Sequence, residues 1–142
     1  MPKRKILVID DNALLRNMVK QLLTRDGHIV LDAKNGPIGL ALARTEKPDL
    51  ILLDLMMPSM SGEEVAKFLH YDPDLCSIPV VVLTSVDQPK YILSLVALGV
   101  RDYVLKPPNA VTLRSRIRAV LEPTPPAAPD AEAEDSSASA DK

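Results

Sequence analysis

The sequence predicts an α/β protein with an open parallel sheet and helices on both of its faces. Strand-like and helical segments alternate five times along residues 1–121. Three of the five strand segments are continuous apolar runs, which is typical of strands covered on both faces, as in a parallel sheet. Strands that alternate with helices are joined by helical crossovers, so neighbouring strands run in the same direction.

Each strand is predicted from a short run rich in Val, Ile and Leu. The runs are KILVI at 5–9, HIVLDA at 28–33, LILL at 50–53, VVVL at 80–83 and DYVL at 102–105. Helices are predicted where apolar residues recur three or four positions apart. These stripes are Leu15, Met18, Val19 and Leu22; Val65, Phe68 and Leu69; and Leu113, Ile117, Val120 and Leu121. Residues 35–45 give a weaker helical pattern, because glycine and proline crowd its start.

Composition divides the chain into one domain at 1–121 and a tail at 122–142. The whole chain of 142 residues is 46% apolar and 25% charged, which is typical of a single globular domain. The tail has no large apolar residue, and its six acids and one lysine give it a charge of −5, against +3 for the rest. Such a segment buries too little apolar surface to offset its ordering entropy, so we expect it to be disordered.

Several classes of protein are disfavoured by simple patterns. The apolar run at 6–9 is too short for a signal peptide, and no segment approaches the length of a membrane span. Cys76 is the only cysteine, so an internal disulfide is impossible and a reducing compartment is expected. The net charge of −2 argues neither for nor against a nucleic-acid partner, but the arginines of the last helix, Arg114, Arg116 and Arg118, lack the aromatic residues or recognition motif of a DNA-binding surface. We therefore expect a cytoplasmic protein without membrane or nucleic-acid partners.

Polar residues follow four of the five strands where each strand ends. Asp10 and Asp11 follow the first, Asp54 the third, Thr84 the fourth and Lys106 the fifth, whereas the second strand supplies nothing comparable. The carboxyl ends of parallel strands meet at one edge, where α/β proteins bind ligands. Two carboxylates about 4 Å apart repel by roughly 4 kcal/mol at an effective dielectric constant of 20. An all-oxygen cluster of this kind indicates Mg²⁺.

Asp54 is the candidate reactive residue of this edge. An aspartate can form an acyl phosphate, and Mg²⁺ and a lysine can neutralise the charge of a transferring phosphoryl group. The Thr84 hydroxyl could donate to a phosphoryl oxygen. Taken singly, each of these residues also has a structural explanation; Asp11, for example, could cap the first helix. Pro58 and Gly62 are suited to the turn that follows Asp54.

The motifs ILVIDDN, LILLDLMMPSMSG, VVVLTS and DYVLKP together resemble the receiver domain of bacterial two-component response regulators, over nearly all of residues 4–121. The resemblance implies a flavodoxin-like, five-stranded sheet of order 2-1-3-4-5. It also implies a signalling switch that accepts a phosphoryl group from a phosphohistidine on a sensor histidine kinase or histidine phosphotransfer protein. Such a protein is no enzyme beyond its own phosphorylation and dephosphorylation.

The resemblance also implies the residues of the phosphorylation and metal site. Asp54 matches the phosphoacceptor. Asp11 matches a direct Mg²⁺ ligand, and Asp10 matches a residue that acts largely through water. The backbone carbonyl of Met56 is implied as a further ligand.

Four further residues match the parts of the family that respond to the phosphoryl group. Lys106 matches the phosphoryl-binding lysine, and its peptide bond to Pro107 is expected to be cis. Thr84 matches the switch hydroxyl. Tyr103 matches the aromatic residue that turns inward when the threonine moves, although it could also be a half-exposed strand residue.

Three positions are notable in comparison with the sequence pattern of the family. Pro108 adds a second proline after Pro107, which puts no chemistry in doubt. Met56 and Val86, two residues after Asp54 and Thr84, are both apolar. These positions can orient or obstruct the attacking water in the family, so we expect slow hydrolysis of the acyl phosphate.

The output surface is predicted from the fourth helix, fifth strand and fifth helix. Residues 88–98 are apolar around most of the helix, whereas packing on a sheet needs a stripe of only ~100°. The surplus is either covered by neighbours or offered to a partner, and the resemblance favours a downstream effector or a homodimer. The surface would include Tyr91, Leu95, Tyr103, Arg114 and Arg118.

Three other functions share part of this pattern of residues. A Mg²⁺-dependent phosphohydrolase of the haloacid dehalogenase type needs an aspartate two residues after the nucleophile, where this chain has Met56. A flavodoxin-like electron carrier needs a glycine- and hydroxyl-rich phosphate loop, where this chain has DDNALLR. A phosphorelay intermediate or phosphate sink would use the same site chemistry without an output of its own.

Overall fold

The computed structural model describes residues 3–85 and 89–122, and for residues 89–92 the backbone alone. The tail after residue 122, Val86 and the side chain of Tyr91 therefore lie outside the described residues. The elements are β1 Lys5–Ile9, α1 Ala13–Arg25, β2 Ile29–Ala33, α2 Gly36–Glu46, β3 Leu50–Asp54, α3 Gly62–Tyr71, β4 Val80–Thr84, α4 Pro89–Val96, β5 Val100–Leu105 and α5 Ala110–Leu121. None of the helices in these ranges has the length and apolarity needed to cross a bilayer.

The five strands form one parallel sheet of order β2-β1-β3-β4-β5, which confirms the predicted fold class. Ile9 of β1 pairs with Leu53 of β3, so Asp10 and Asp54 leave the sheet as direct neighbours. Thr84 of β4 pairs with Leu105 of β5, which brings Lys106 to the same edge. The register therefore gathers the predicted site residues along the carboxyl edge of the three central strands and β5.

Each face of the sheet has its own buried core, as continuous apolar strands require. One core packs alternate residues of the central strands against α2, α3 and α4. The other packs the remaining strand residues against α1 and α5, through Val19, Leu23, Leu113 and Ile117. The strands β3 and β4 are buried at every position, which explains why their sequences do not alternate.

The weak helical pattern at 35–45 is nevertheless a helix, and the residues that obscured it have structural roles. The Asn35 side chain accepts the backbone N–H of Ile38, and Pro37 occupies the first turn, where its missing N–H costs nothing. A Cβ on Gly39 would overlap the side chain of Ile9. Glycine here permits close packing of α2 on β1.

Two of the residues placed in apolar stripes lie at the surface. Phe68 of α3 is 52% exposed and Met18 of α1 is 45% exposed, because each helix needs only part of its circumference for the core. The last strand begins two residues earlier than predicted. Val80 pairs with Val100 but Val81 pairs with Asp102, so β5 contains an extra residue at a bulge.

Leu95 corrects the predicted partner surface. Its side chain is fully buried in the core beneath α4, whereas Leu93 is 69% and Val96 55% exposed. The expectation that Leu95 contacts a partner is therefore wrong for this conformation. The helix uses Leu95 to pack on the sheet and presents Leu93 and Val96 to solvent.

We predict that Leu95→Ala lowers the free energy of unfolding by about 2–4 kcal/mol, because it removes buried apolar volume and leaves a cavity. Leu93→Ala, on the exposed side of the same helix, should change it by less than about 0.5 kcal/mol. Urea unfolding followed by circular dichroism measures both. Equal effects of the two variants would contradict the packing of α4.

Candidate phosphorylation and metal site

Lys106 joins two buried carboxylates at the carboxyl edge of the sheet. Its Nζ donates a hydrogen bond to Asp54 Oδ1 at 2.9 Å and lies 3.0 Å from Asp10 Oδ2. Asp10 and Asp54 are 0% and 2% exposed, respectively. The lysine arrives from β5 and the acids from β1 and β3, so the parallel sheet is what brings the three groups together.

The remaining oxygens of the two acids differ in their contacts. Asp10 Oδ1 accepts the backbone N–H of Asn12 at 2.8 Å, and Asp54 Oδ1 accepts that of Met56 at 3.3 Å. Asp54 Oδ2 is buried and has no hydrogen-bond partner among the residues that the structure describes, and the contact of Asp10 Oδ2 with Lys106 is an ion pair without hydrogen-bond alignment. Two carboxylate oxygens thus remain short of hydrogen bonds, which is costly in a buried site.

Burial and mutual contacts change the pKa values of Asp54 and Lys106. Burial raises the pKa of the Asp54 carboxyl to about 6; the hydrogen bond from Lys106 opposes this rise, and the negative charge of Asp10 adds to it. Burial would lower the pKa of the Lys106 ammonium, but its contacts with Asp54 and Asp10 outweigh burial and raise it above the ordinary value. At neutral pH the site therefore holds a positively charged lysine between carboxylates.

The residues present fit a hard divalent cation. Asp10, Asp11 and Asp54 each offer a carboxylate oxygen, and these oxygens lie within 4.8 Å of one another. The donor set is entirely oxygen, and Asp11 is exposed, so a cation can approach from solvent. Asp54 Oδ2 and Asp10 Oδ2 would both gain from such a cation. The ligand role of the Met56 carbonyl stays a prediction.

The switch residues occupy the neighbouring strand ends. Thr84 is fully buried at the end of β4, and its backbone carbonyl accepts the N–H of Lys106 at 2.8 Å. The Lys106–Pro107 peptide bond is cis, as expected. Tyr103 is half-buried and packs against the core beneath α4. A movement of Thr84 towards Asp54 remains a prediction.

Gly62 sets the approach of α3 to the site. A Cβ at this position would overlap the backbone carbonyl of Asp54, and the Gly62 N–H donates to the Leu55 carbonyl at 2.9 Å. The side chain of Ser61 then caps α3 in a capping box with Glu64. Only glycine permits this contact between the helix start and the phosphorylation strand.

Two residues near Asp10 were not predicted from the sequence to belong to the site. Arg16 donates to the backbone carbonyl of Asp10 at 2.7 Å and pairs with Asp32 of β2 at 3.1 Å. The second strand thus contributes to the site through an intermediary, contrary to expectation. The available signal was the position of Arg16 one turn after Asn12, together with an acid one residue before the end of β2.

The arginines of α5 contact two different elements. Arg114 Nε donates to Asp26 Oδ2 at the end of α1, at 2.7 Å. Arg118, four residues later, shares that side of the helix. Arg116 pairs with Asp102 of β5 at 2.7 Å. A role of Arg114 and Arg118 in partner binding stays a prediction.

This site and fold define a receiver, and the comparison with known sequences agrees. The chain belongs to the response regulator receiver domain family, whose sequence profile matches residues 6–118. It is a receiver domain of two-component signalling. Members of the family bind Mg²⁺ at an acidic site and interact with histidine kinases and effectors.

Individual relatives fall into two groups. The chain is 39% identical over 117 residues to protein PilH of Pseudomonas aeruginosa, covering 82% of this chain and 97% of PilH. It is 36% identical over 126 residues to the probable transcriptional regulator ycf27 of Guillardia theta, covering 89% of this chain and 48% of that protein. The chain spans about half the length of the ycf27 transcriptional regulators that it matches.

Solved structures support the same fold. The Vibrio cholerae chemotaxis protein CheY4 superposes with a TM-score of 0.81 at 31% sequence identity, covering 84% of this chain and 100% of CheY4. The receiver fold is therefore shared over the whole β1–α5 region.

We predict that, without metal, Asp54→Asn stabilises the protein increasingly as pH rises. The folded-state pKa of about 6 lies above the ordinary 3.8, so protonation of Asp54 favours the folded state. That contribution is complete below pH 3.8 and is lost as pH rises through about 6. Above this range Asn avoids a buried charge and should gain about 1–3 kcal/mol.

Urea unfolding in a chelating buffer at about pH 4.5 and 8 would measure this gain. Asp74→Asn, which removes an exposed carboxylate, should stay within about 0.5 kcal/mol of wild type at both values. An Asp54→Asn protein that is less stable than wild type at the higher pH would contradict the electrostatic account of the site.

Proposed function

We propose that this chain is a phosphorylation-dependent switch that accepts one phosphoryl group on Asp54 from a phosphohistidine. The observation that carries the proposal is that the two carboxylate oxygens of Asp54 differ in their hydrogen bonding. Lys106 donates a hydrogen bond to Oδ1, while Oδ2 is buried near two further carboxylates and accepts no hydrogen bond from residues 3–85 or 93–122. A carboxylate oxygen kept free in this way is available as a nucleophile.

The phosphoryl transfer is a displacement at phosphorus. An Asp54 oxygen attacks phosphorus, the phosphorus–nitrogen bond of the phosphohistidine breaks, and its electron pair returns to the imidazole. Lys106, 2.9 Å from Asp54, neutralises charge on the phosphoryl oxygens without losing its proton. When bound by Asp10, Asp11 and Asp54, Mg²⁺ would supply further charge neutralisation. The chain thus catalyses only its own phosphorylation and dephosphorylation.

The phosphoryl donor would be a sensor histidine kinase or a histidine phosphotransfer protein in the cytoplasm.

The proposed output surface lies on the β5–α5 side of the domain. There a depression of about 260 Å³ is lined by Tyr103, Val104, Leu105, Pro107, Asn109, Thr112 and Arg116. Leu105 and Pro107 flank Lys106 in sequence, so a change at Asp54 would reach this surface through Lys106. A downstream protein or a second copy of the chain would bind there.

We predict that a small phosphoryl donor such as acetyl phosphate, with Mg²⁺, adds the mass of one phosphoryl group to the wild-type protein. Asp54→Asn should add none, because the nucleophilic oxygen is replaced by an amide. Thr84→Ala is the matched control, since it should be modified yet fail to change partner binding. Intact-protein mass spectrometry measures the modification, and a modified Asp54→Asn protein would refute the assignment.

We predict that Met56→Asn accelerates loss of the phosphoryl group about fivefold, since one hydrogen bond that orients the attacking water is worth about 1 kcal/mol. Met56 is 63% exposed beside Asp54 and offers no such bond. Met18→Asn, at an exposed methionine of α1, should leave the rate unchanged. The decay of phosphorylated protein gives the rates, and no acceleration in Met56→Asn would remove the explanation.

A further inference from the structure

Arg16 on the first turns of α1 links three elements at the edge of the site. Its Nε donates to Asp32 Oδ2 of β2 at 3.1 Å, and its Nη1 donates to the backbone carbonyl of Asp10 at 2.7 Å. Its backbone N–H continues α1 by donating to the Asn12 carbonyl at 3.0 Å. The side chain is only 15% exposed, so both contacts are largely shielded from solvent.

These contacts fix the segment that carries the acidic residues. The chain leaves the sheet at Asp10, whose N–H still donates to the Ala33 carbonyl of β2 at 3.1 Å. Its carbonyl instead receives the guanidinium of Arg16. Asp10 is thus held from both sides, while its Oδ1 accepts the N–H of Asn12. Asp11 lies between these two anchored residues.

Asp32 serves as the anchor for Arg16. Burial alone would raise the pKa of Asp32, but the hydrogen bonds from Lys20 and Arg16 outweigh it and hold the pKa below its ordinary value. The carboxylate is therefore charged at neutral pH. Lys20 takes the other oxygen at 3.3 Å, is 46% exposed, and among the described residues pairs with Asp32 alone.

We propose that Arg16, anchored by Asp32, is a positioning residue that holds Asp10 and Asp11 in the arrangement that binds the divalent cation. This inference rests on the proposed function and extends it to a residue that touches neither cation nor phosphoryl group. The planar guanidinium holds its donors in a rigid fork, so Nε and Nη1 reach the Asp32 carboxylate and the Asp10 carbonyl from fixed positions, whereas a lysine carries a single ammonium on a flexible stem.

A positioning role and simple electrostatics predict opposite changes in Mg²⁺ affinity when Arg16 is replaced by a neutral residue. Removing a positive charge near a cation site should strengthen Mg²⁺ binding if charge alone matters. Loss of a positioning contact should weaken it instead, and partners of this kind typically contribute about 10-fold or more to metal affinity. The direction of the change therefore separates the two explanations.

The experiment titrates Mg²⁺ into the full chain and follows amide signals of Asp10 and Asn12 by two-dimensional NMR. Arg16→Met should weaken Mg²⁺ binding about 10-fold. Arg16→Lys, which keeps the charge but not the fork of donors, should also weaken it. Lys20→Met is the matched control: it removes a charge from the same acid without contact to Asp10, and should leave affinity unchanged or slightly higher.

A second set of variants tests whether Arg16 depends on Asp32 to position Asp10 and Asp11. Asp32→Asn should weaken Mg²⁺ binding, and the double variant Arg16→Met with Asp32→Asn should be no weaker than Arg16→Met alone, because the two residues act as one unit. The same spectra, recorded before metal is added, show that each variant is folded. In metal-free wild type the Asp10 amide should exchange with solvent more slowly than in Arg16→Met.

The outcomes separate the two levels of the proposal. If wild type fails to bind Mg²⁺ at Asp10 and Asp11, the proposed function itself fails. If wild type binds Mg²⁺ and Arg16→Met binds it equally or more tightly while remaining folded, the positioning role is overturned and the proposed function stands.

Discussion

The ion pair between Lys106 and the two buried carboxylates of Asp10 and Asp54 is the interaction on which the rest of the site depends. Three carboxylates and one ammonium converge there, so two negative charges remain uncompensated. A divalent cation matches that deficit. Without one, the protein retains two buried carboxylate oxygens short of hydrogen bonds and a raised pKa at Asp54. The fold tolerates this unfavourable arrangement at the edge where open α/β sheets bind ligands.

The sheet imposes this convergence. Parallel strands of order β2-β1-β3-β4-β5 place the ends of β1 and β3 side by side, and β4 positions the lysine that follows β5. The two apolar cores hold the strands in register from either face. Glycine at position 62 lets α3 begin against the Asp54 carbonyl, and Arg16 ties α1 to both β1 and β2. The strand register, the start of α3 and the side chain of Arg16 thus hold the charged cluster in place.

Much of this architecture could be predicted from the sequence because it depends on local patterns. Continuous apolar runs identified the strands, and the polar residue after each run identified the edge of the sheet. The error concerns which side of a helix a residue occupies, since Leu95 lies towards the core rather than towards solvent. Periodicity relates residues within a helix, but the neighbour that each side meets depends on tertiary packing. The pairing of Arg16 with Asp32 joins α1 to β2, and the positions of the two residues in the sequence do not by themselves show that they meet.

A crystal structure grown with Mn²⁺ and beryllofluoride would test the central claim most directly, since Mn²⁺ takes the same oxygen ligands as Mg²⁺ and can be located by anomalous scattering. Our account places one anomalous peak among the carboxylates of Asp10, Asp11 and Asp54, with the fluoride group on Asp54 and within reach of Lys106. A peak bound elsewhere, or a fluoride group that leaves Asp54 free, would contradict it.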